Sequence, residues 1–171
     1  GTGRFIHVPR AASIGTFDVG NHTGAPVAVK SYAVGAFNQP TSRDVVVYRN
    51  RLYFQDEAAT PPSIKVFDIA NPAISTALTS IAMASVTTAG VDQLAGLAVG
   101  DGHLFSLAKT ESGTAIDVYR LSTNGDGAAA SGFLYRGTIT IPAALARPTI
   151  SGDTLYMSDN VGIIAFDWNP M

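Results

Sequence analysis

The chain has 171 residues, with 11 Lys and Arg against 13 Asp and Glu, 46% hydrophobic residues, 17 Gly, 9 Pro and no Cys. A net charge of −2 offers no basic field to a phosphate backbone, so no nucleic-acid partner is expected, and the apolar fraction suits a chain that buries a core. The absence of cysteine excludes disulfide frameworks, cysteine-ligated zinc, iron–sulfur clusters and thiol chemistry together, and no apolar run approaches the ~18 residues of a membrane span.

Short β-branched and aromatic runs bounded by turn residues predict strands, and no segment keeps apolar residues at helical spacing over three turns. The first group is Phe5 to Val8, Ser13 to Val19 and Val27 to Tyr32. The second is Val45 to Tyr48, Leu52 to Gln55, Ser63 to Ile69 and Ala77 to Met83. The third is Gly96 to Val99, Leu104 to Leu107, Ala115 to Leu121 and Phe133 to Ile141. The fourth is Pro148 to Ile150, Leu155 to Ser158 and Ile163 to Trp168, preceded by a Pro-Ala-Ala-Leu-Ala stretch that allows at most one helical turn. Arg49-Asn50, Asp101-Gly102 and Gly152-Asp153 supply residues that tolerate the positive φ of tight hairpins.

The groups repeat. The aromatic residues Phe17, Phe67, Tyr119 and Phe166 are separated by 50, 52 and 47 residues, and the markers Phe5, Leu52, Leu104 and Leu155 keep step before them. Four antiparallel strands recurring every ~40–50 residues are the signature of a β-propeller, in which each repeat is one blade that cannot bury its faces alone. The fold class expected is therefore an all-β propeller, a single region over residues 1–171 with repeats of approximately 1–36, 37–90, 91–142 and 143–171. With strands lettered A (inner) to D (outer), the chain reads B-C-D, A-B-C-D, A-B-C-D, A-B-C. An inner strand is wanting at one end and an outer strand at the other, so the chain is expected to be part of a longer propeller or to be completed by another chain.

Ser63-Ile64-Lys65-Val66-Phe67-Asp68-Ile69-Ala70-Asn71-Pro72, following Leu52-Tyr53-Phe54, resembles the LVIVD family of propeller repeats. Phe17-Asp18-Val19 and Phe166-Asp167-Trp168-Asn169-Pro170 keep parts of that pattern, whereas the third repeat has Arg120 in place of the Asp. The resemblance implies a secreted or surface-exposed propeller, often of seven blades, and no catalytic residues, because the motif is structural. The low charged fraction of 14% also fits secreted β-rich proteins. The opening Gly1-Thr2-Gly3-Arg4 has no signal-peptide pattern.

Asp18, Asp68 and Asp167 are expected to close their strands by accepting hydrogen bonds from the following turn. Ser122 to Gly127 lacks the first and twelfth ligands of a calcium loop, and His7, His22 and His103 show no paired metal spacing. Neither a nucleophile elbow nor a dinucleotide fingerprint is present, no cofactor is expected, and Asn21-His22-Thr23 is read as an accidental glycosylation sequon. The best pointer is position: the loops leading into the inner strands carry Arg43, Asp44, Asp92, Gln93 and Arg147, a candidate ligand-binding rim at the axial face. The loops between the second and third strands carry Arg10, Asp56, Glu57, Lys109, Glu111, Asp159 and Asn160. Binding or scaffolding through a protein partner or self-assembly is favoured. The alternative is a hydrolase or quinoprotein-like oxidoreductase whose axial site is completed by further blades.

Overall fold

A computed structural model describes residues 5–9, 13–20, 24–33, 45–56, 59, 61–71, 77–83, 93–121, 133–143, 145–159 and 161–168. These form 14 strands: β1 (Phe5–Pro9), β2 (Ser13–Asp18), β3 (Val27–Ala33), β4 (Val45–Tyr48), β5 (Arg51–Asp56), β6 (Ser63–Asp68), β7 (Ala77–Ala82), β8 (Gln93–Gly100), β9 (His103–Thr110), β10 (Gly113–Leu121), β11 (Phe133–Ile141), β12 (Ala146–Ser151), β13 (Thr154–Ser158) and β14 (Ile163–Asp167). No helix occurs among the described residues. Hydrogen bonding orders the strands as β1-β2-β3, β4-β5-β6-β7, β8-β9-β10-β11 and β12-β13-β14, all antiparallel. This is the expected division into three, four, four and three strands. Each sheet is a sequential meander, which short turns between antiparallel neighbours permit without crossovers.

The hairpins follow from local chemistry. Arg49 (φ 46°) and Asn50 (φ 60°) join β4 to β5, and Asp101 (φ 44°) and Gly102 (φ 70°) join β8 to β9. Two positive φ angles in a two-residue loop give the backbone twist that matches flanking strands. The third link, Gly152-Asp153, has its positive φ of 57° at Gly152.

Register confirms that the repeats are equivalent and corrects one marker. Leu52 faces Phe67, Leu104 faces Tyr119 and Leu155 faces Phe166 across their strand pairs. In the first sheet Phe17 faces Ile6, and Phe5 faces Asp18. Ile6 is therefore the equivalent residue, and the one-residue difference decides which face of the sheet it occupies. Beside the aromatic of the first three sheets the pairing to the outer strand shifts, at Thr16/Phe17, Val66/Phe67 and Val118/Tyr119. A bulge there increases the local twist. Bulges also explain why β8 and β12 begin earlier than predicted: irregularities at Leu94/Gly96 and Ala146/Thr149 interrupt the alternation that marks a strand in sequence.

Alternation along the strands sends side chains to both faces, and the sheets stack face to face in chain order. Ile14 packs with Leu52, Phe54 and Ile69 between the first and second sheets. Tyr53, Ile64 and Val66 meet Leu94, Leu104 and Tyr119 between the second and third. Phe105, Leu107, Ile116 and Val118 meet Leu155 and Met157 between the third and fourth. The link into the last sheet is held by Thr114, whose hydroxyl donates to the Ala143 carbonyl (2.6 Å) and accepts from the Leu145 N–H (2.8 Å). That pin turns Pro142 and Ala143 through a bend where the sequence allowed one helical turn.

A candidate axial binding site

The inner strands β4, β8 and β12 converge on one cleft of about 230 Å³, lined by Val46, Val47, Leu97, Ala98, Val99, Pro148, Thr149 and Ile150. These strands are innermost in their sheets, as expected from the repeat. A Cβ placed on Gly100 would strike the Ile150 side chain, so the C-terminal ends of β8 and β12 lie together. Gln93 and Arg147 belong to the N-terminal ends of these two strands. Arg147 is exposed within the β12 bulge at φ 53°, a costly conformation for a residue with a Cβ. Its neighbour in sequence, the buried Pro148, lines the cleft. Arg43, Asp44 and Asp92 lie outside the described residues. The cleft lining itself holds one hydroxyl, Thr149, among aliphatic side chains and strand backbone.

The second group of loop charges divides by local role. Asp56 is the last residue of β5, not a loop residue; it is buried and ion-paired with Lys65 at 3.5 Å. Asp159 closes its own turn, its Oδ1 accepting from the Val161 and Gly162 N–H groups at 2.7 Å each, which holds its carboxyl below the ordinary range. Lys109 is the penultimate residue of β9, and Glu111 is exposed in the turn after Thr110. Arg10, Glu57 and Asn160, the Ser122–Gly127 loop and the Asn21-His22-Thr23 sequon fall outside the described residues.

The repeated aspartates behave as turn acceptors in two sheets. Asp18 Oδ1 accepts from Gly20 N–H and Asp68 Oδ1 from Ala70 N–H, both at 2.8 Å. The Ala70 bond, followed by the Arg51 guanidinium at 2.7 Å, lowers the Asp68 pKa. In the fourth sheet Asp167 accepts from the Thr154 hydroxyl at 3.5 Å. Among the described residues, no three His, Asp or Glu side chains come together in a group that could hold a metal ion. The imidazole of His7 meets the buried Thr16 hydroxyl at 2.8 Å, and burial lowers its pKa. His103 places Nδ1 2.8 Å from the Asp101 carbonyl and packs edge-on against Trp168. Both lie within strands, and His103 also packs against the ring of Phe105.

Two buried polar residues escaped the sequence reading. Gln55 spans the second and third sheets: its amide donates to Ser106 Oγ (2.9 Å) and the Leu107 carbonyl (3.0 Å), and its carbonyl accepts from Gly96 N–H (3.1 Å). That N–H sits at the β8 bulge, where regular ladder pairing is interrupted. Asp117 is fully buried in β10, accepting from the Thr138 hydroxyl at 2.6 Å. Strand parity was the available signal, since both residues stand within apolar strand runs.

No family model matches the chain, and no curated protein matches it. Solved structures do. The computationally designed Ika4 protein superposes with a TM-score of 0.59 at 13% identity, over 97% of this chain and 86% of that one. The nidogen/laminin complex gives 0.59 at 15% identity, over 96% of this chain and 56% of that chain. BamB from Moraxella catarrhalis gives 0.60 at 9% identity, over 95% of this chain and 39% of that chain. The chain thus spans a little over half and about two fifths of the latter two. At such identities the likeness speaks for architecture alone, and with the four meandering sheets and their shared inner cleft it establishes the fold as a β-propeller of blade-like sheets.

Proposed function

We propose that the chain is a non-catalytic binding or scaffold propeller in a secreted or cell-surface assembly, with residues 1–171 forming one propeller region. The observation that carries this reading is the axial cleft, whose aliphatic and backbone lining suits contact rather than proton transfer. The binding rim would comprise Arg43, Asp44, Asp92, Gln93 and Arg147, the exposed Arg147 supplying a cation for an acidic or hydrogen-bond-accepting protein segment. The LVIVD-like second repeat supports the surface assignment. In the test, a photo-cross-linking residue replaces Arg147 or, as a control at the hairpin end of the same sheet, Asp153, and the chain is exposed to the envelope and secreted proteins of its source. One protein captured repeatedly at position 147 and not at 153 supports the reading. Equal capture at both positions would overturn it, and so would turnover of ester, phosphate or alcohol substrates abolished by Arg147→Ala.

A further inference from the structure

Each interface between successive sheets is built on the same pair of residues. Ile14, Ile64, Ile116 and Ile163 stand three residues before the aromatic of their strands, on the face opposite to it. Ile6, Leu52, Leu104 and Leu155 stand across from that aromatic, on its own face. Ile14 shares a core with Leu52, Ile64 with Leu104, and Ile116 with Leu155. Every one of these six side chains is at most 3% exposed. The remaining two, Ile163 at one end of the run of sheets and Ile6 at the other, are 76% and 44% exposed. Val8 repeats the pattern beside Ile6: its equivalents Phe54, Ser106 and Met157 are buried, whereas Val8 is exposed. The chain thus carries both halves of a fourth interface of the same type, and neither is covered.

We propose that a second copy of this chain covers them. The forward face of the fourth sheet seats on the backward face of the first sheet of the second copy, and reciprocally, with Ile163 meeting Ile6 at both junctions. The occupant follows from continuity with the three internal interfaces, because the fourth sheet's face is the kind on which a first-sheet face packs. Contact between two different faces is head-to-tail, and it gives a finite assembly when the rotation closes. Two copies give a ring of eight sheets, within the range of known propellers. Their six inner strands then surround the axis, where one copy supplies three. The assembly is independent of the binding proposed at the rim.

The 171-residue chain is examined by light scattering over a wide concentration range. The expected mass is twice the 17.8 kDa of one chain. Ile163→Asp and Ile6→Asp each reduce it to one chain with the strand circular dichroism kept, since both positions are already exposed in a single copy. Arg147→Ala leaves the mass unchanged, which separates failure of assembly from failure of binding. Because the chain has no cysteine, Ile6→Cys and Ile163→Cys chains cross-link when mixed and not when oxidised separately. A chain that stays at 17.8 kDa throughout, with its faces left for further blades of a longer polypeptide, overturns the proposal. So do a mass that climbs beyond two copies, a dimer indifferent to both aspartates, or cross-linking within a single-variant sample.

Discussion

Replacing Gln55 by leucine should weaken the joint between the second and third sheets out of proportion to the volume changed. The substitution removes the acceptor of the Gly96 N–H and the donor to the Leu107 carbonyl, both in a buried site. An orphaned buried N–H costs about 1–3 kcal/mol and a lost neutral hydrogen bond about 1 kcal/mol. The expected loss is therefore about 2–4 kcal/mol, a large share of a stability of about 5–15 kcal/mol. Ser106 adds little to the deficit because its hydroxyl also donates to the Met83 sulfur at 3.6 Å. Urea unfolding at one fixed protein concentration measures the change, followed by circular dichroism and by the fluorescence of the single Trp168. Trp168 stacks edge-on with Phe105 between the third and fourth sheets, so separation of the two signals would show the sheets melting unequally, as quasi-independent repeats can. A Gln55→Leu chain within about 0.5 kcal/mol of the parent refutes the clamp, because that lies below the cost of one unsatisfied buried donor.

Gly113→Ala should be among the most damaging small substitutions: φ is +135° and the added Cβ would collide with the Ile141 carbonyl and the Pro142 backbone, so a loss above about 2 kcal/mol is expected in the same urea assay. Leu104→Ala, emptying a fully buried site between the second and third sheets, should cost about 2–5 kcal/mol. The lowered pKa of His7, caused by burial, means that the unfolded chain takes up the proton first. Its contribution is present above the ordinary value of 6.5 and is lost as pH falls through that value toward the folded one, so thermal melts between pH 8 and 5 should flatten in His7→Gln. Asp68 acts lower on the scale. Its folded pKa lies below the ordinary 3.8, so its stabilisation is complete above that value and fades on acidification, and Asp68→Asn should remove it at a cost below about 1 kcal/mol at neutral pH.

The chain's own pattern determined the architecture. The aromatic positions spaced 50, 52 and 47 residues apart, the two-residue turn signals and the short alternating runs specify strands, hairpins and their grouping, because those properties arise from backbone preferences and period-two burial within a few residues. Interruptions hid what was missed locally: the bulges at Leu94/Gly96 and Ala146/Thr149 disguised the starts of β8 and β12 and placed Arg147 in a strand. Side-chain fate is another matter, because strand alternation names a face and not what stands against it. Gln55 reads as one more residue at the end of a strand until the third sheet brings Gly96, Ser106 and Leu107 within hydrogen-bonding distance. Asp56 and Asp159, both read in sequence as loop charges, are drawn into an ion pair with Lys65 and a turn with Val161. Ile64 and Ile163 occupy equivalent places in their repeats, yet one is sealed and the other open, because burial depends on the sheet stacked beyond, which only the tertiary arrangement supplies.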